Sequence, residues 1–142
     1  MKKNIYIASD HAGFALKESI IKSINLKFID LGTNSSKSVD YPDYASKLVR
    51  HMLTEDGSKG ILICGSGIGM AIAANRNSNI RAGLAFNSKV AKLMREHNDA
   101  NVLVLPGRFI DVQEALKCIN NFLSYKFKSG RHIKRINKLN KI

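Results

Sequence analysis

The chain is 142 residues long, with 44% hydrophobic and 24% charged residues, proportions of one globular domain with material for a core and not of a disordered segment. Lys and Arg outnumber Asp and Glu by 23 to 11, a net charge of +12, which suits an anionic small molecule, a nucleic acid or an acidic membrane surface without choosing among them. The longest apolar stretch, 60–74, is broken by glycines and is shorter than the ~20 residues that span a bilayer, and the amino terminus lacks the apolar core and cleavage site of a signal peptide, so a cytoplasmic protein without membrane contact is expected.

Residues 4–8 form the first predicted strand, which ends in Ser9-Asp10-His11; Phe14, Leu16, Ile20, Ile21 and Ile24 then recur at helical spacing. A second strand at 27–31 stops at Gly32, and a polar loop leads to Tyr41-Pro42. The residue before a proline avoids the helical region, which predicts a helix from Asp43 to Leu53. Gly60-Ile61-Leu62-Ile63-Cys64 has the unbroken apolar character of a strand buried on both faces, and Gly65-Ser66-Gly67-Ile68-Gly69 leads into a helix at 70–75. A strand at 81–86, a helix at 88–97 and a strand at 101–105 follow, and Asp111 caps a helix with Val112, Ala115, Leu116, Ile119, Phe122 and Leu123 on one side. Five alternations of strand and helix predict a doubly wound α/β domain spanning 1–142 around a five-stranded parallel sheet. The tail, 126–142, is rich in Lys and Arg and places Ile133, Ile136 and Leu139 three apart, the pattern of a basic amphipathic helix or arm. With no surface of its own domain left for that stripe, the arm is expected to reach onto a second copy of the chain.

In an open parallel sheet, ligands sit beyond the carboxyl ends of the strands. That rule selects Asp10 and His11, Cys64 through Gly69, and Pro106-Gly107-Arg108. The Gly65-x-Gly67-x-Gly69 loop offers backbone amides to an oxyanion or phosphate; it matches neither the dinucleotide fingerprint nor the P-loop, and its alternative is a plain tight turn. A helix amino terminus favours thiolate over thiol, which would make Cys64 a usable base, against the alternative of an inert buried thiol. Cys118 lies mid-helix among apolar neighbours and reads as core. Without a CxxC pair or histidines at finger spacing, neither a metal nor a disulfide is expected, and no organic cofactor is expected either. Asp10 and His11 suit hydroxyl and anion binding, or a helix cap. Arg108, Arg131 and Arg135 suit a phosphate, Arg131 and Arg135 sharing a helix face, or a solvated basic surface. His51 reads as surface and His132 as a neighbour of the phosphate. His97 and Asn98 precede the fifth strand and therefore fall on the opposite edge of the sheet.

Several segments resemble the type B ribose-5-phosphate isomerase family, which includes galactose-6-phosphate and allose-6-phosphate isomerases: Ser-Asp-His-Ala-Gly-Phe at 9–14, Asp-Tyr-Pro-Asp-Tyr-Ala at 40–45, Gly-Ile-Leu-Ile-Cys-Gly-Ser-Gly-Ile-Gly at 60–69, Ile-Ala-Ala-Asn at 72–75, Arg-Ala-Gly at 81–83, His-Asn-Asp-Ala-Asn-Val-Leu at 97–103, and Gly-Arg-His at 130–132 with Arg135. The resemblance runs in order over nearly the whole chain. It implies a Rossmann-like three-layer domain, a homodimer or dimer of dimers, and active sites at the subunit interface, with His97 reaching the partner's site. The implied activity is the interconversion of ribose 5-phosphate and ribulose 5-phosphate, a step of the pentose phosphate pathway, through an enediolate. By the same resemblance Cys64 moves the proton between carbons 1 and 2. The amides of Gly65, Ser66, Gly67, Ile68 and Gly69 stabilise the enediolate, with the Ser66 hydroxyl assisting, and His97 opens the furanose ring. Asp10 and Asn98 hold hydroxyls, while His11, Arg108, Arg131 and Arg135 bind the phosphate. Some members carry threonine where Ser66 stands, and others replace the cysteine by a glutamate in the region of Asn75; the cysteine here favours the thiol branch. A six-carbon sugar-phosphate isomerase is the alternative. A basic nucleic-acid-binding module is a further one, but no aromatic ladder accompanies the basic residues, so no nucleic-acid partner is expected.

Overall fold

A computed structural model describes residues 2–142. Strands β1 (Ile5–Ser9), β2 (Phe28–Asp30), β3 (Lys59–Cys64), β4 (Ala82–Leu84) and β5 (Val102–Pro106) alternate with helices α1 (Phe14–Ser23), α2 (Tyr41–Leu53), α3 (Ile68–Ala74), α4 (Ser88–Asn98) and α5 (Val112–Ser124); a 3-10 turn, Gly130–His132, and helix α6 (Ile133–Leu139) close the chain. All strand pairs are parallel, in the order β2-β1-β3-β5-β4. The predicted five-stranded parallel α/β architecture is therefore the observed one.

Alternation along the strands sorts the core into two layers. Ile7, Ile61, Ile63, Leu103 and Leu105 face α1, α4 and α5 together with Leu16, Ile20, Met94, Ile119 and Phe122. Tyr6, Ala8, Leu62, Cys64, Val102 and Val104 face α2 and α3 together with Leu48, Val49, Met52 and Met70. Each Val, Leu, Ile, Phe or Met among them, taken fully out of water, stabilises the fold by about 1.5–3 kcal/mol, and the continuous apolar runs of β3 and β5 follow from cover on both faces. Cys118 belongs to the first layer, is fully buried, and has its thiol pushed up to about 12, chiefly by desolvation. It is core, as expected.

Local chemistry sets the element ends. Asp111 Oδ1 accepts the Glu114 amide at 2.8 Å and Asn87 Oδ1 accepts that of Val90 at 2.9 Å, so α5 and α4 both open on side-chain caps. Helix α2 opens at Tyr41, two residues before the expected Asp43, because a proline in the first turn gives up an amide that has no helical partner anyway. Strand β4 is shorter than the expected 81–86: the Arg81 amide turns to the Asn101 side-chain oxygen at 2.8 Å. At this open edge of the sheet, the Asn75 side chain accepts from the Ala82 amide at 2.8 Å and donates to the Ala82 carbonyl at 2.9 Å.

The tail also departs from expectation. Helix α6 covers only seven residues, and its apolar stripe is not left entirely without partners on its own chain: Ile136 is buried, and Asn140 accepts from Arg81 at 3.1 Å. Ile133 and Leu139 remain about half exposed. The segment before the 3-10 turn is extended and fastened to the last turn of α4. Arg95 Nε donates to the Tyr125 carbonyl at 3.2 Å, the Lys128 amide donates to the Glu96 carbonyl at 3.0 Å, and Lys128 Nζ lies 3.3 Å from Glu96 Oε2. No helix is long and apolar enough to cross a membrane.

Candidate active site

A cleft of about 350 Å³ opens beyond the carboxyl ends of β1, β3 and β5. Asp10, His11, Cys64, Gly65, Ser66, Gly69 and Arg108 line it, joined by Ala12, Tyr41 and Phe109. Here the chain order reverses from β2 back across β1 to β3, which places the cleft at a topological switch point.

Each side chain is held by the turn that follows its strand. Asp10 is buried, donates its amide to the Ile63 carbonyl at 3.2 Å, and accepts the Gly13 amide on Oδ1 at 3.0 Å. It therefore ties the turn that precedes α1, whose own N-cap is Gly13 without a side-chain cap, and it also lines the cleft. His11 Nδ1 accepts the Val39 amide at 3.1 Å, which fixes the tautomer with the proton on Nε2 and makes that nitrogen a donor suited to an anion. Cys64 is 5% exposed yet lines the cleft, and its carbonyl accepts the Gly107 amide at 2.8 Å. Gly65 accepts the Arg108 amide at 2.9 Å; a Cβ on Gly65 would lie 3.1 Å from Arg108 Nη1, so the absent side chain leaves room for the guanidinium.

The glycine loop is built for close approach. Gly67 adopts φ +79°, and a Cβ there would meet Leu84 at 2.4 Å. Ser66 Oγ accepts the Ile68 amide at 3.3 Å, whereas the amides of Gly65, Ser66, Gly67 and Gly69 have no protein acceptor among the described residues. Unpaired N–H groups at a cleft wall suit an oxygen that carries negative charge. Among the described residues no cluster of His, Cys, Asp and Glu has the grouping to hold a metal ion.

Besides Ala12 on the turn after β1, two cleft residues were not singled out in the sequence. Tyr41 stands at the start of α2, where its ring lies 2.5 Å from the position a Cβ on Gly69 would take. The Tyr-Pro pair signalled a helix start, but nothing in it disclosed which loop the ring would cover. Phe109, 68% exposed beside Arg108, is the other.

His97, Asn98, Arg131 and Arg135 do not line this cleft. Helix α4 runs against the strand direction, so its last turn lies at the amino-terminal edge of the sheet, where Asn98 borders a hollow with Arg81, Ala82 and Ala100. There the His97 ring stacks on His132, with centroids 4.5 Å apart and planes 17° apart, and His132 also meets Phe127 at 6.5 Å. Partial desolvation holds His132 below the usual histidine range, and His97, Arg131, Arg135 and Lys128 add to the effect. Arg131 and Arg135 are exposed on the same short tail. His51 lies on the surface, with Nδ1 2.9 Å from the Lys47 carbonyl. The expected site residues thus form two groups at opposite edges of one chain, and Ile68 and Ile72, beside the cleft on α3, are more than half exposed.

Fold and cleft together define a Rossmann-like α/β protein with a cleft at the carboxyl edge of its sheet, the place where this class of fold binds small ligands. The family model described as Ribose/Galactose Isomerase matches residues 5–139. A probable ribose-5-phosphate isomerase B of Mycoplasma pneumoniae is 47% identical, over 98% of this chain and 94% of its own. Among solved structures, a ribose 5-phosphate isomerase of Thermotoga maritima superposes with TM-score 0.94 at 47% identity over the whole of both chains. Another, ribose-5-phosphate isomerase B of Mycoplasma genitalium with bound ribulose-5-phosphate, has TM-score 0.87 at 40% identity over 99% and 96% of the two chains. The chain belongs to the ribose/galactose isomerase family.

Proposed function

We propose that this chain interconverts ribose 5-phosphate and ribulose 5-phosphate, a step of the pentose phosphate pathway, in the cytoplasm and without a metal or organic cofactor. The observation that carries the reading is the cleft that brings Cys64, the glycine loop at Gly65, Ser66 and Gly69, Asp10, His11 and Arg108 together. Aldose–ketose exchange needs a base beside carbon 2 and donors where the carbonyl oxygen gains charge. The Cys64 thiolate takes the carbon 2 proton, and the electron pair moves through the new C1–C2 double bond to oxygen 1. A hydroxyl proton passes from oxygen 2 to oxygen 1 with Ser66 beside it, and the thiol returns its proton to carbon 1. The loop amides hold the enediolate oxygens, Asp10 holds a hydroxyl, and His11 and Arg108 hold the phosphate.

Neither group of residues completes the reaction alone. In this reading two copies of the chain form a homodimer, alone or within a dimer of dimers, and each cleft receives His97, Asn98, Arg131 and Arg135 from the partner. The exposed Ile68 and Ile72 give the partner an apolar surface beside the cleft. His97 takes the proton of the carbon 1 hydroxyl, the bond from carbon 1 to the ring oxygen breaks, and the same imidazolium gives that oxygen a proton. Arg131 and Arg135 add guanidinium contacts to the phosphate, which does not react but fixes the carbons within reach of the sulfur.

A coupled assay comparing ribose 5-phosphate, allose 6-phosphate and galactose 6-phosphate tests the reading. Ribose 5-phosphate is expected to give the highest kcat/KM, and a preference for a six-carbon substrate overturns the assignment. Arg135→Ala is expected to raise KM on the order of tenfold or more, with a smaller fall in kcat, as for a group that grips a non-reacting part of the substrate. An unchanged KM removes Arg135 from the phosphate site.

A further inference from the structure

His97 and His132 come from elements 35 positions apart in sequence, the last turn of α4 and the 3-10 turn, yet their rings stack almost face to face at 4.5 Å. The contact rests on a fastened segment. Arg95 and Glu96, immediately before His97, bind the backbone of Tyr125 and Lys128, in the segment before the 3-10 turn, and the Phe127 ring meets the His132 ring at 6.5 Å. Stacking engages the face of the His97 ring and leaves its edge nitrogens open, and neither nitrogen has a hydrogen-bond partner among the described residues. An imidazole that must take a proton and give it back needs that combination of fixed plane and open nitrogens.

We propose that His132 is a positioning residue for ring opening: its stacked ring fixes the plane of His97 and ties it to the tail that carries Arg131 and Arg135. The inference rests on the assignment of His97 to ring opening made above. The charges around the pair come from three elements: Glu96 on α4, Lys128 on the extended segment, and Arg131 and Arg135 on the tail. The cationic members disfavour two imidazolium rings in contact, and partial desolvation of His132 acts the same way. Since His132 lies between Arg131 and Arg135 in sequence, a phosphate drawn to those guanidinium groups settles the same backbone that sets the His97 plane.

Ribulose 5-phosphate has no furanose form, because its oxygen 5 carries the phosphate. Exchange of its carbon 1 hydrogen with deuterated solvent therefore needs Cys64 but no ring opening, whereas conversion of ribose 5-phosphate needs both. The full-length His132→Ala and His132→Phe variants are compared in the two reactions at saturating substrate, by coupled assay and by proton NMR. His132→Ala is expected to lower kcat for ribose 5-phosphate on the order of tenfold, with exchange within about twofold of the parent. His132→Phe, which keeps a flat ring in the stack, is expected to recover most of the loss. A His132→Ala variant as fast as the parent, an equal fall in both reactions, or a rise in KM with kcat unchanged overturns the inference. If His132→Ala does not fold, His132→Asn takes its place under the same criteria. A parent chain without ribose 5-phosphate activity sinks the underlying assignment instead, so the two failures are distinguishable.

Discussion

Cys64→Ala is expected to remove nearly all turnover while ribose 5-phosphate still binds. A positioned base contributes roughly 100- to 10,000-fold, and the alanine variant should fall by that factor in kcat, because the loop amides alone cannot accept the carbon 2 proton. Binding should persist, since the phosphate and hydroxyl contacts come from His11, Arg108 and Asp10, which stand on their own turns and do not lean on the sulfur. The thiol is 5% exposed and packs among Leu62, Val104 and Met70, so alanine also deletes a little core. That cost is expected to be small beside the kinetic one and is read separately from thermal unfolding. Calorimetric titration with ribose 5-phosphate and a steady-state assay of the same preparation make the check. Parental turnover in the alanine variant would show that another group moves the proton.

The second large effect tests the proposed sharing of each site between two copies of the chain. Cys64→Ala and His97→Asn variants should each be nearly inactive alone. Unfolded together and refolded as a mixture, they should regain activity. In a random assortment half the dimers are hybrids, and each hybrid owns one cleft with an intact Cys64 from one copy and an intact His97 from the other. Recovery to about a quarter of the parental rate is therefore expected. A mixture as inactive as its components would mean that both residues serve a cleft from the same chain. In the fold, α4 delivers His97 to the edge of the sheet opposite the one where β3 delivers Cys64.

Much of this arrangement was legible in the residues. The continuous apolar run at 60–64 identified a strand buried on both faces, and the rule that ligands gather beyond strand ends selected Asp10, His11, Cys64 to Gly69 and Pro106 to Arg108, of which Asp10, His11, Cys64, Gly65, Ser66, Gly69 and Arg108 line the cleft and Gly67, Ile68, Pro106 and Gly107 do not. Strand order was not legible. Alternation shows that β4 and β5 exist, but only their lateral packing decides that β5 lies beside β3 and β4 at the margin. Tyr41 escaped for a related reason: its role depends on Gly69, 28 positions away, having no side chain. The tail misled in the other direction, because its i, i+3 stripe looked ownerless, yet Ile136 is buried within its own chain. His97 and Asn98 were placed on the opposite edge from chain direction alone, which is where they lie. What their neighbours would be, the stacked His132 above all, depends on a segment without regular structure, for which periodicity gives no signal.

The clasp that Asn75 places on Ala82 bears on how copies of this chain assemble. A bare strand at the border of a sheet invites a strand from another molecule to continue the ladder, a route to runaway polymers. Here that border is three residues long, and its first outward N–H and C=O are already taken by an amide from the same chain. Strand addition at this border is disfavoured, which leaves side-chain surfaces to carry any association on that side.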